Sequence, residues 1–109
     1  MSDAFRDREA GFEAKFQHDQ ELAFKVSAHR DRLFGKWVAG KLMLSGQPAD
    51  DYAAEMVASN FSRPGDDDMI EKAMQDLSQA GFNFSKDVLI REIKTAETQA
   101  IRELGPPAT

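Results

Sequence analysis

The sequence predicts an all-α fold: a four-helix bundle with a long first helix and a projecting or disordered N-terminal arm. Three observations lead there. Apolar residues recur at one, two or three helical turns along Phe5, Phe12, Phe16, Val26, Leu33, Trp37 and Leu44, in a stretch with no proline before Pro48; that spacing marks one face of a helix. Turn-forming residues at Gly46-Gln47-Pro48, Arg63-Pro64-Gly65, Gly81 and Gly105-Pro106-Pro107 cut the chain into four such stretches. No segment alternates apolar and polar residues as a half-buried strand does.

The first helix is expected to run from about Asp3 to Leu44, with Gly11, Gly35 and Gly40 as bend points, because a helical glycine costs about 1 kcal/mol relative to alanine. The second starts near Pro48, a good first-turn residue, with Asp50 and Asp51 placed to meet the helix dipole. It turns Tyr52, Ala53, Met56, Val57 and Phe61 inward. Asp66, Asp67 and Asp68 offer caps for the third helix, and Asp68 with Glu71 has the spacing of a capping box. Its inward residues are Met69, Ile70, Ala73, Met74 and Leu77, and Gly81 closes it. Asn83 or Ser85 caps the fourth, whose apolar face is Val88, Leu89, Ile93, Ala96, Ala100, Ile101 and Leu104. Short loops between four helices favour an antiparallel bundle.

Composition narrows the function. The 109 residues include no cysteine, so disulfides, thiolate metal sites and thiol nucleophiles are excluded together. The net charge of −5 is uneven. Lys and Arg number eight against seven acids up to Gly46, then six against twelve. An acidic bundle is a poor binder of nucleic acid, which demands a cationic surface. No run is apolar enough to span a bilayer, and the charged opening Met1-Ser2-Asp3-Ala4-Phe5-Arg6-Asp7 is no secretion signal. The expected setting is cytoplasmic, without membrane insertion. No nucleophile pairs with His18 or His29, the two imidazoles, which lie about 16 Å apart along one helix, too far to share a metal. The expectation is a protein that is not an enzyme and holds no metal.

Length carries the argument further. A helix from Asp3 to Leu44 is about 60 Å long, whereas the other three span about 20 to 30 Å. A compact domain of this size has a radius of gyration of about 13 Å and cannot flank such a rod. The expected division is an arm over residues 1–19, a bundle over 20–105 and a disordered tail over 106–109. The arm holds Phe5, Phe12 and Phe16 on one face, rimmed by Arg6, Arg8, Glu9, Glu13 and Lys15. Burying each phenylalanine is worth about 1.5–3 kcal/mol. A groove in another protein, the chain's own bundle and a second copy are all open as their shelter. These eight residues are the candidate partner-binding set.

The opening block Phe5-Arg6-Asp7-Arg8-Glu9-Ala10-Gly11-Phe12-Glu13-Ala14-Lys15-Phe16, with His18-Asp19, Glu21 and Phe24-Lys25, resembles that of the zeta subunit family. These are the inhibitor subunits of the alphaproteobacterial F-type ATP synthase. The likeness continues through Leu33-Phe34-Gly35-Lys36-Trp37-Val38-Ala39 and more loosely to the C-terminus. The chain departs from the pattern at Ala28-His29-Arg30 and at Phe34, where the family has paired arginines and a leucine. The resemblance implies a four-helix protein whose N-terminal arm enters a catalytic α/β interface of the synthase head. There it blocks rotation in the hydrolysis direction and leaves synthesis much less affected. The implied partners are the alpha, beta and gamma subunits, and the implied location is the cytoplasmic side of the inner membrane, held through the synthase.

Gly35 to Lys41 has the Gly-x4-Gly-Lys spacing of a phosphate loop, but Leu42 stands where that loop needs a hydroxyl and no strand precedes it. By analogy with the family, Arg32, Lys36 and Lys41 are candidates for weak ATP or ADP binding; no other cofactor is expected. The triple aspartate 66–68 lacks the spacing of a calcium loop. The alternative to an inhibitor is a free-standing helical adaptor or a weak nucleotide-sensing bundle.

Overall fold

The computed structural model describes residues 2–61 and 65–105, with side chains described from residue 20 onward. Four helices and no strand make up the described residues: α1 (Ser2–Lys41), α2 (Gly46–Phe61), α3 (Asp67–Gln79) and α4 (Lys86–Leu104). Of the two arm states left open by the sequence, the backbone shows the helical one, since α1 is continuous from Ser2. Arg63, Pro64 and the tail at 106–109 lie outside the described residues.

α1 is the axis of the molecule, with α2 on one side and α4 on the other. Both run antiparallel to it. Phe24 meets Phe61, Asp31 is bonded by Asn60, and Gly35 lies against Ala53. On the α4 side His29 bonds Glu103, while Trp37 packs on Phe84 just before the helix starts. α3 crosses behind, joined to α2 where the Tyr52 hydroxyl donates to Asp76 at 2.7 Å. Burial and that acceptor hold the proton on Tyr52.

Being flanked twice, α1 buries a broader arc than one stripe. Phe34, Val38 and Ala39 are fully buried, while Leu33 and Trp37 are partly buried against the core. Phe34, one of the departures from the family pattern, thus lies wholly inside the core. Gly35 has a packing role as well. A Cβ there would lie 2.8 Å from the Ala53 Cα and 3.0 Å from the Met56 Cβ, so glycine lets α1 and α2 approach closely. Three residues expected inside are exposed: Met74, Leu104 and Phe61.

The helix ends correct the sequence reading in detail. α2 begins at Gly46, which moves Asp50 and Asp51 into its second turn. There they take Lys36 at 3.5 Å and Gln47 at 2.7 Å instead of meeting the dipole. Asp66 is the N-cap of α3 but makes no side-chain cap bond, because Arg30 at 2.9 Å and Asn60 at 3.1 Å claim its carboxylate. The guanidinium carries a full opposite charge, whereas the backbone amides of the first turn offer only partial ones. Asp68 therefore falls within the first turn, not at the cap of a capping box. Gly81 ends α3 as expected, with φ +92 and bonds from the Phe82 and Gly81 amides to Leu77 and Ser78 at 2.8 and 3.0 Å. Ser85 is the α4 cap, accepting from the Val88 amide at 3.3 Å.

α1 stops at Lys41, three residues short of Leu44, in the same motif. The Met43 and Leu44 amides bond Gly40 and Ala39 at 3.1 and 2.9 Å. Met43 occupies the left-handed position, φ 65, that glycine usually takes, and is 87% exposed. A side chain there costs about 1–2 kcal/mol, against about 0.4–1 kcal/mol of extra unfolded-state freedom for glycine. Met43→Gly is therefore expected to raise stability by roughly 0.5–1 kcal/mol, read as a higher urea midpoint at unchanged slope.

Candidate partner interface

α1 contains 40 residues, against 16, 13 and 19 in the other helices. At 1.5 Å per residue it spans about 60 Å against about 20 to 28 Å. The molecule accordingly measures 68 × 27 × 23 Å, with a radius of gyration of 17.9 Å, well above the roughly 13 Å of a compact domain this long. α4 ends one residue beyond the His29–Glu103 contact, and α2 ends at Phe61 opposite Phe24. Among the described side chains Val26 is the first buried one of α1. The backbone of Ser2 to Asp19 thus runs past the ends of both flanking helices.

All eight candidate partner-binding residues, Phe5, Arg6, Arg8, Glu9, Phe12, Glu13, Lys15 and Phe16, fall on that stretch of α1. Their side chains, and that of His18, lie outside the described residues. Two of the three nucleotide candidates are drawn to different neighbours. Lys36 reaches Asp50 of α2 at 3.5 Å, Lys41 sits over the Trp37 ring at 5.5 Å, and Arg32 is exposed. Helical backbone across Gly35 to Lys41 leaves no loop of free amides to cradle a phosphate.

Where the arm meets the bundle, a polar cluster locks α1 to α2 and to the start of α3. Asp31 is buried and takes the Arg30 Nε at 3.0 Å and the Asn60 Nδ2 at 2.8 Å. Arg30 also bridges to Asp66. Asn60 Oδ1 is buried without a protein partner. Desolvation raises the Asp31 pKa above its ordinary 3.8, with the Asn60 and Arg30 bonds opposing it. The folded chain then holds that proton more tightly than the unfolded one, so the Asp31 contribution is fully favourable below 3.8 and is lost as pH rises through the raised folded value. Asparagine copies the protonated form. Asp31→Asn is expected to gain stability relative to the parent as pH rises above 3.8, the gain levelling off above the raised folded value, measured by urea unfolding. At exposed Glu103 the bond from His29, and then that from Gln99, lowers the pKa.

Neither the buried Asp31 nor the exposed Phe24–Phe61 pair is evident from the sequence. Arg30-Asp31 looks like any surface pair on a charged helix, and Phe24 simply falls off the apolar stripe. Among the described residues no cluster of His, Asp or Glu is placed to hold a metal ion, and no helix is long and apolar enough to cross a membrane.

Fold and geometry together define a small helical bundle that carries one overlong helix. The chain belongs to the family of ATPase inhibitor subunit zeta, whose model matches residues 1–103. That is a family of inhibitor subunits of an ATPase, not of enzymes. No significant match is found among curated proteins.

Proposed function

We propose that this chain inhibits ATP hydrolysis by the F-type ATP synthase by inserting residues 2–19 of α1 into a catalytic interface between alpha and beta subunits, against gamma. The observation that carries this reading is the length of α1, which runs past the ends of α2 and α4 while its docked half is already tied to both. A helix is about 10–12 Å across with its side chains, a size that a cleft between subunits accommodates. Phe5, Phe12 and Phe16 act as apolar anchors, as in other helix-in-groove complexes. Arg6 and Arg8 add charge-assisted bonds at the rim, with Glu9, Glu13 and Lys15 completing it.

The bundle provides a rigid handle. With its far end fixed by α2 and α4, the arm enters as a rod and obstructs the closing of the interface that hydrolysis requires. Rotation in the synthesis direction opens the same interface and expels the rod. Hydrolysis and synthesis rates of the cognate synthase, with and without the protein, test this. Hydrolysis is expected to fall severalfold while synthesis stays near its starting rate. Equal loss of both would overturn the one-way brake.

A further inference from the structure

Six large apolar side chains are exposed among the described residues, and two of them meet where the arm leaves the bundle. Phe24 on α1 and Phe61 at the end of α2 are each 58% exposed and stack on one another at 5.4 Å between ring centroids. Single exposed apolar residues are ordinary on a protein surface, but two exposed rings stacked across two helices form a small apolar patch. The pair is held in place from below, because Asn60, the residue before Phe61, is bonded to both Asp31 and Asp66.

We infer that Phe24 and Phe61 form a collar that seats the bundle on the ATPase surface at the mouth of the groove that takes the arm. This rests on the insertion reading and adds a second contact to it. A groove that admits one helix, about 10–12 Å across, cannot admit a body 27 × 23 Å in section. Insertion therefore stops at the end of the bundle, about 27 Å from the tip of an 18-residue arm. The first bundle residues to meet the partner at that depth are those of the collar, Phe24 lying only five residues beyond Asp19 on the same helix. The matching surface on the ATPase is an apolar ledge bordering the groove. Aromatic anchors beside a deeper contact slow dissociation more than they change the encounter.

The chain contains no cysteine, so one introduced at the collar is a unique attachment point. Two measurements test the inference. In the first, the Phe24→Ala/Phe61→Ala double variant is titrated against ATP hydrolysis by the synthase. Roughly a tenfold or greater rise in the half-inhibitory concentration is expected, with full inhibition still reached at saturation and a helical spectrum and melting temperature near the parent's. An unchanged half-inhibitory concentration overturns the collar. In the second, Phe61→Cys carrying a benzophenone is irradiated in the complex. Cross-linking to an ATPase subunit is expected; cross-linking only within the chain, or only to a second copy of it, overturns the collar. Neither negative result touches the arm itself, since a chain lacking residues 2–19 tests insertion separately.

Discussion

Removing residues 2–19 is expected to abolish inhibition of ATP hydrolysis while leaving the bundle folded. Every side chain known to be buried lies at Val26 or later, and every described bond between helices involves residues from Phe24 onward. The truncated chain therefore loses no described core contact. A change confined to such a stretch shifts stability by about 0.5 kcal/mol or less, or about 4 °C in melting temperature at most. Inhibition, in contrast, loses all three phenylalanines and both arginines of the arm at once. At about 1.5–3 kcal/mol for each ring, their removal weakens binding by several orders of magnitude. Hydrolysis assays with the truncated protein in large excess check the loss, and thermal melts followed by circular dichroism check the fold. A truncated chain that inhibits as well as the parent would place the inhibitory surface on the bundle.

The opposite dissociation is expected from Phe34→Ala. This ring is completely buried in the C-terminal half of α1 and stacks on Trp37 at 6.1 Å between centroids. Truncating a buried phenylalanine costs about 3–5 kcal/mol, partly in transfer energy and partly in the cavity left behind. Small domains hold only about 5–15 kcal/mol in total, so the variant is marginal. A drop of at least about 12 °C in melting temperature is expected. Below that temperature the arm is intact and inhibition persists. A loss under about 1 kcal/mol would mean that Phe34 does not lie inside the core.

Phe34 also shows what the sequence holds and what it leaves out. The number of helices, their order and most inward faces of α3 and α4 follow from periodicity and punctuation, because those helices each meet the core on one side. α1 meets it on two, so its buried arc is wider than any single stripe, and Phe34, Val38 and Ala39 fall outside the stripe while being fully enclosed. Gly35 carries no sign of whether it admits another helix; the approach of Ala53 decides that. Asp66 is legible as a cap by position, yet Arg30, thirty-six residues away in sequence, takes its carboxylate. For the interface, the overlong first helix is a matter of counting residues and was readable at once. The collar was not, because it joins Phe24 to Phe61 through the fold, and Phe61 reads locally as an inward residue of α2.

The central claim is that the stretch before residue 20 is what the synthase encloses. Backbone hydrogen exchange of the full chain, free and bound to the synthase, measures this segment by segment. The account requires exchange to slow sharply across residues 2–19 on binding, with little change along α3 and α4 away from the collar. Exchange unaltered in residues 2–19, with new protection on α3 or the outer face of α4, would contradict it.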